Sequence, residues 1–220
     1  MVIKELYPFL QAYAFIIGLV VGSFLNVIIY RIPKNKSIVK PRSKCTGCEI
    51  QISWYDNIPV LSYVLLLGKC RNCKASISVR YPLIEFICGL MTVMLLSIYG
   101  ISYEFFVIVL FCYMLIAITF IDIDHFIIPN EFIIFGLIVS FFSHAFNFLP
   151  ISIVQGFYGI IAFGGTLFVM GALGTWAFKK EALGFGDVKL GLVLGSFLGV
   201  ELSLLSLFLS FIFAAIMSII

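Results

Sequence analysis

The chain has 220 residues, of which 62% are apolar and only 11% charged, with a formal net charge of +3. Soluble globular chains carry roughly 25% charged residues, so this composition, with a mean hydropathy of +1.16, excludes a soluble enzyme of one or two domains. It predicts an all-α polytopic membrane protein, whose length is counted in spans of about 20 residues.

Apolar stretches predict seven transmembrane helices over 12–30, 82–99, 105–121, 132–149, 151–178, 183–200 and 202–220. The first has Lys4 and Glu5 upstream and basic residues from Arg31 onward. That flank order fits an uncleaved span with its N-terminus outside better than a secretory signal. Ten of the 14 Lys and Arg residues fall between Arg31 and Arg80, against Glu49 and Asp56 alone among acids. The positive-inside rule therefore places residues 31–80 in the cytoplasm. The expected organisation is a first transmembrane helix over 1–30, a cytoplasmic metal-binding loop domain over 31–80, and a transmembrane catalytic bundle over 81–220. A basic loop can also signal nucleic acid, but one tethered to spans on both sides is better read as topology and contact with the lipid bilayer. Nucleic acid is not an expected partner. No internal repeat or low-complexity linker is evident.

Inside the loop, Cys45-Thr-Gly-Cys48 and Cys70-Arg-Asn-Cys73 form two C-x2-C knuckles, with 21 residues between them. Two turns that each present two thiolates suit tetrahedral zinc. Disulfides are the competing reading, disfavoured in a reducing cytosol. With all four ligand positions filled by Cys, the zinc is expected to be structural, holding together a loop too poor in apolar residues for its own core. Cys88 and Cys112, inside spans, read as small apolar residues.

Ionisable groups at the edge of a span are costly and imply function. Asp122 closes the third span, and Asp187 opens the sixth within Gly184-Phe185-Gly186-Asp187-Val188. Both belong to the cytoplasmic side and to matching depth. Asp187 at a helix N-terminus is favoured as the anion by the helix dipole, whereas Asp122 at a C-terminus is not. That asymmetry suits an acid–base pair hydrolysing peptide bonds, one carboxyl activating water and the other protonating the scissile carbonyl. Gly184 and Gly186 would permit a tight turn into the helix and close approach of another backbone. Asp124 competes with Asp122, since residues two apart on a helix cannot face one partner. Read from physics alone, a proton-coupled membrane transporter using Asp122 and Asp187 remains an alternative, as does a scaffold whose zinc loop docks another protein. The fifth span carries Gly156, Gly159, Gly164, Gly165, Gly171 and Gly174, which predicts tight helix packing and a tilt or bend.

Gly22-Ser-Phe-Leu-Asn26 followed by Tyr30-Arg-Ile-Pro33 resembles the start of bacterial prepilin peptidases, the type IV leader peptidase family of GxGD-type intramembrane aspartic proteases. So do Trp54-Tyr-Asp-Asn-Ile-Pro59 between the knuckles and Arg80-Tyr-Pro-Leu-Ile-Glu85 after them. Ile121-Asp-Ile-Asp-His125 leading to Pro129-Asn130, and Gly184-Phe-Gly-Asp-Val-Lys189, are similar to the family's two catalytic segments. The resemblance implies a multi-pass enzyme of the bacterial cytoplasmic (inner) membrane that removes the basic leader from prepilins or pseudopilins at the cytoplasmic face. It carries the catalytic roles to Asp122 and Asp187. It further implies methylation of the new N-terminus with S-adenosylmethionine. The family usually has eight spans against the seven counted here, and the chain stops at Ile220 within an apolar run, so a truncated sequence or a shorter member is expected.

Overall fold

A computed structural model describes residues 2–219. It divides into two compact units, Met1–Phe126 and Ile127–Ile220. Every named element among the described residues is helical, with two isolated β-bridges and no named strand. Among the described residues five helices are long and apolar enough to cross a membrane, so the chain is an all-helical polytopic membrane protein.

The first unit is built on α1 (Val2–Arg31), the cysteine loop with its short α2 (Leu61–Leu65), α3 (Arg80–Tyr99) and α4 (Tyr103–His125). Helices in lipid lack a hydrophobic drive toward each other, so close backbone approach must supply the packing. Gly18 and Gly22, one helical turn apart on α1, provide it. A Cβ on Gly18 would lie 2.7 Å from the Gly89 Cα of α3, and one on Gly22 would lie 2.6 Å from the Glu85 Cα. On α3, Ile84 and Cys88 are fully enclosed, as are Ala117 and Ile121 on α4. The Thr92 and Tyr113 hydroxyls hydrogen-bond where α3 meets α4. The outer faces carry Phe9, Ile16, Leu90, Met94 and Phe106, all exposed, as a lipid-facing surface requires.

The second unit contains α5 (Asn130–Ala145), α6 (Ile153–Ile160), a π-helical turn (Ile161–Gly165), α7 (Thr166–Phe178) and α8 (Phe185–Ile219). The expected fifth span is therefore a single rod, α6 through α7, and its bend is the π turn, an i→i+5 bulge within an α-helix. Its glycines divide by role. A Cβ on Gly159 would sit 2.1 Å from the Gly195 carbonyl oxygen, and one on Gly164 2.3 Å from Leu192. Gly165 has nothing closer than 3.7 Å. The facing glycines of α8 are Gly191, Gly195 and Gly199, repeating every fourth residue. His144 adds a polar tie, its two ring nitrogens lying 3.1 Å from the Ile151 carbonyl oxygen and 2.8 Å from that of Ser196.

Three of the seven predicted spans are redrawn. Residues 132–149 yield only the 16-residue α5, because Asn147 turns left-handed (φ 54°) and Pro150 follows. The segments 183–200 and 202–220 run together as α8, broken at Gly199 rather than at Glu201. There φ 68° and ψ −173° are non-helical and accessible essentially only to glycine. Val188 before the break and Leu207 beyond it are buried in one cluster with Phe163 and Leu167.

Candidate functional site

The cysteine loop is two copies of one knuckle. The Cys45 amide donates to the Ile50 carbonyl and the Glu49 amide to that of Cys45 (both 2.9 Å). The Cys70 amide donates to Ala75 (2.9 Å) and the Lys74 amide to Cys70 (3.1 Å). The bridges Lys44–Gln51 and Lys69–Ser76 repeat at the same offset, and Glu49 and Lys74 are both left-handed, at φ 57° and 60°. A short repeat is thus present where none was expected, in the pattern Lys-Cys-x2-Cys-x3-Ile-Ser beginning at Lys44 and again at Lys69.

The two knuckles bring the Sγ atoms of Cys45, Cys48, Cys70 and Cys73 within 4.8 Å of one another. Cys45 and Cys73 are separated by 3.7 Å. Zinc–sulfur bonds of about 2.3 Å in a tetrahedron require sulfur atoms about 3.8 Å apart, so the donor set could hold a metal ion. Its electrostatics favour a thiolate at Cys45. The backbone amides of Cys48 and Gly47 and the Cys70 side chain lower its thiol to about 6. At Cys48 the Ile50 amide acts downward, but burial and the crowding of Cys73, Cys45 and Cys70 outweigh it and raise the thiol to about 11. Arg71, in the second knuckle, is forked onto Asp56 by contacts of 2.7 and 3.0 Å, anchoring the loop between the knuckles.

Asp122 and Asp124 occupy the last turn of α4, and their surroundings differ. The guanidinium of Arg80 donates to both oxygens of Asp124 (2.6 and 2.5 Å) and to the Phe120 carbonyl (2.8 Å), and lies over the Phe120 ring. Asp124 is therefore part of the clasp between α3 and α4. Asp122 lies exposed on the other side of the turn, its carbonyl accepting the Phe126 amide that closes the helix (2.8 Å).

Asp187 stands in the first turn of α8, exposed, its amide donating to the Gly184 carbonyl (3.1 Å). Neither Gly184 nor Gly186 has a positive φ. Their service is space: a Cβ on Gly184 would come within 3.2 Å of the Asp187 carboxylate, and one on Gly186 within 3.3 Å of the Ile128 side chain. The close neighbours within this chain are thus side chains. Lys189 donates to the Asn130 side chain (2.8 Å), joining the start of α8 to the start of α5.

A further set of residues was legible only as motif. Asn26 donates to the Tyr81 carbonyl (3.1 Å), and the buried Glu85 accepts the Val60 amide (2.7 Å). Glu85 is an ionisable residue within an apolar span, so the rule that singled out Asp122 and Asp187 applies to it equally.

The helical membrane fold with a four-cysteine centre defines the class, and comparison with known proteins narrows it. The Bacterial Peptidase A24 N-terminal domain matches residues 16–99, and the Type IV leader peptidase family matches residues 109–219. The chain is 38% identical over 194 residues to the prepilin leader peptidase/N-methyltransferase of Myxococcus xanthus, covering 87% of this chain and 57% of that protein. With the proteins of the same name in Stutzerimonas stutzeri and Neisseria gonorrhoeae it shares 33% and 32% identity. Those alignments cover 93% and 99% of this chain and 78% and 84% of theirs. No solved structure matches. The chain belongs to the type IV leader peptidase family.

Proposed function

We infer that this chain is a membrane aspartic endopeptidase that removes the leader from type IV prepilins or pseudopilins at the cytoplasmic face of the bacterial inner membrane. Asp122 and Asp187 are its catalytic pair. One carboxylate takes a proton from the attacking water while the other, as the acid, protonates the carbonyl oxygen; as the carbon–nitrogen bond breaks, the first carboxyl passes its proton to the departing amine and the second recovers one from the tetrahedral diol. Two carboxyls in this relation titrate as one unit, sharing a proton. The observation that carries the assignment is the division of labour on α4: Asp124 is held by Arg80, while Asp122, at the position matching the family's segment, is left exposed on the opposite side of the turn. A transporter finds no support among the relatives.

The four cysteines hold zinc in a structural role, since no ligand position is left for water or substrate. Many cations crowd the same loop, so the basic leader is recognised by something other than charge attraction. A second activity, methylation of the newly exposed α-amine from S-adenosylmethionine, follows the name that the relatives carry.

Coexpression with a type IV prepilin tests the reading, with leader loss followed by gel shift. Wild type should process the prepilin, whereas Asp122→Asn and Asp187→Asn should each lose at least about a thousandfold in rate, as expected when a catalytic group is removed. Processing by either variant at the wild-type rate would overturn the mechanism. Zinc per chain should fall from about one in the wild type to near zero in a Cys45→Ser, Cys70→Ser double variant.

A further inference from the structure

The last turn of α4 has little of its own to hold it. Ile121 is fully enclosed, but every residue from 122 to 126 is exposed, Phe126 by 87%. Phe126 leaves the helix in a left-handed conformation, φ 54°. The closing bond from its amide to the Asp122 carbonyl (2.8 Å) is local, and the final carbonyls of a helix lack partners within it. Helix ends with few buried apolar contacts open at low cost. Asp122 stands in this turn, so its carboxyl moves wherever the backbone beneath it moves.

Arg80 reaches this turn from another helix. One terminal nitrogen donates to both Asp124 oxygens (2.6 and 2.5 Å) and the other to the Phe120 carbonyl (2.8 Å), with the guanidinium 4.7 Å from the Phe120 ring centroid. Residues four apart are neighbours on a helix surface, so one planar group staples the turn across the position of Asp122. The staple has a firm base. Arg80 opens α3, and the Ser78 hydroxyl accepts its amide (3.3 Å). The Tyr81 carbonyl accepts Asn26 of α1 (3.1 Å), and Ile84, one turn on, is fully enclosed. As a stabiliser the ion pair is weak, because its side chains are 28% and 37% exposed and solvent screens such pairs. A contact that adds little to folding yet grips one turn at residues 120 and 124 acts on geometry.

We propose that Arg80 is a positioning residue for the peptidase, holding the last turn of α4 so that the Asp122 carboxyl keeps one place and one direction. The inference rests on the reading of Asp122 as catalytic and deepens it. Proton transfer needs its partners within about 2.6–3.2 Å, and a displacement of about 1 Å can lower a rate on the order of a hundredfold. Arg80 touches neither substrate nor the reacting atoms and works through Phe120 and Asp124. Its loss therefore falls on kcat, with KM little changed. The planar fork is essential, because Arg80→Lys leaves a compact point charge that cannot serve the carbonyl and the carboxylate in the same geometry. Asp124→Asn keeps an acceptor and leaves the Phe120 contact whole, so it disturbs the turn far less.

The test assays the full chain in detergent micelles on a type IV prepilin over a range of concentrations. Arg80→Ala should lower kcat at least about tenfold and leave KM within about twofold of wild type, with melting temperature and zinc content unchanged. Arg80→Lys should remain at least about threefold below wild type. The double variant Arg80→Ala, Asp124→Asn removes the pair and its charge together, and its kcat should stay low. Recovery of kcat in that double variant would show that Arg80 only offsets the Asp124 charge, and would overturn the proposal. Gln11→Ala, which breaks an exposed tie from α1 to Ser97 of α3 (3.1 Å), should leave kcat as it is. Independently of catalysis, hydrogen exchange at amides 123–126 should quicken at least about tenfold in Arg80→Ala. Unchanged exchange, a loss confined to KM, or a fall in melting temperature that accounts for the lost activity would each overturn the proposal. A wild type that cleaves no prepilin would overturn the peptidase reading, while the exchange alone would decide whether Arg80 holds the turn.

Discussion

Replacing Gly22 by Ala probes the contact on which the first unit is built. The added Cβ would lie 2.6 Å from the Glu85 Cα, 3.1 Å from the Cys88 Cβ and 3.2 Å from the Ile84 carbonyl oxygen. Carbon atoms rest no closer than about 3.5 Å, so α1 and α3 must part by about 0.9 Å. The obstacle is backbone, which cannot swing aside as a side chain can. Overpacking of this kind costs about 1–3 kcal/mol, or about 5–150-fold in the folded-to-unfolded ratio. Alanine also stabilises a helix relative to glycine by up to about 1 kcal/mol, and Gly165→Ala calibrates that gain, because its Cβ would meet nothing closer than 3.7 Å. Unfolding by a denaturing detergent in mixed micelles, followed by circular dichroism, should show Gly22→Ala destabilised and Gly165→Ala unchanged or slightly stabilised. Equal stability of the two variants would refute the claim that close backbone approach holds α1 on α3.

The clasp on α4 predicts that Asp124→Asn processes prepilin within about twofold of wild type while Asp122→Asn does not. The Arg80 and Asp124 side chains are 28% and 37% exposed, so a double-mutant cycle on thermal stability should give a coupling no larger than about 1 kcal/mol. Metal-free protein should show ordered thiol reactivity under iodoacetamide with peptide mapping. Cys45, lowered to about 6, is mostly thiolate at pH 7, and its rate should fall about tenfold per pH unit below 6, since the thiolate is the nucleophile. Cys48, raised to about 11, should be slower to react, and labelling of Cys48 before Cys45 would refute the electrostatic description.

What the sequence determined by itself was the membrane class, the four-cysteine knuckles and the two aspartate segments. Each depends on composition or on spacing within a few residues, and these act locally. Apolar length is enough for a span, and C-x2-C is enough for a thiolate turn. Read from helix physics alone, Asp122 and Asp124 compete for one role, and the motif resemblance selects Asp122. Arg80, more than 40 positions away, distinguishes them by pairing with Asp124, a contact that no local pattern encodes. The same holds for Glu85 and Asn26, which read as parts of a motif until the packing of α1 on α3 gave them partners. The Gly191, Gly195 and Gly199 ladder was present as a four-residue spacing, but its purpose required Gly159 to be seen across from it. The break in α8 was expected near Glu201, where charge interrupts the apolar run, yet a charge at a helix surface does not stop a helix. Gly199 does so, because its backbone takes a conformation that only the folded chain selects.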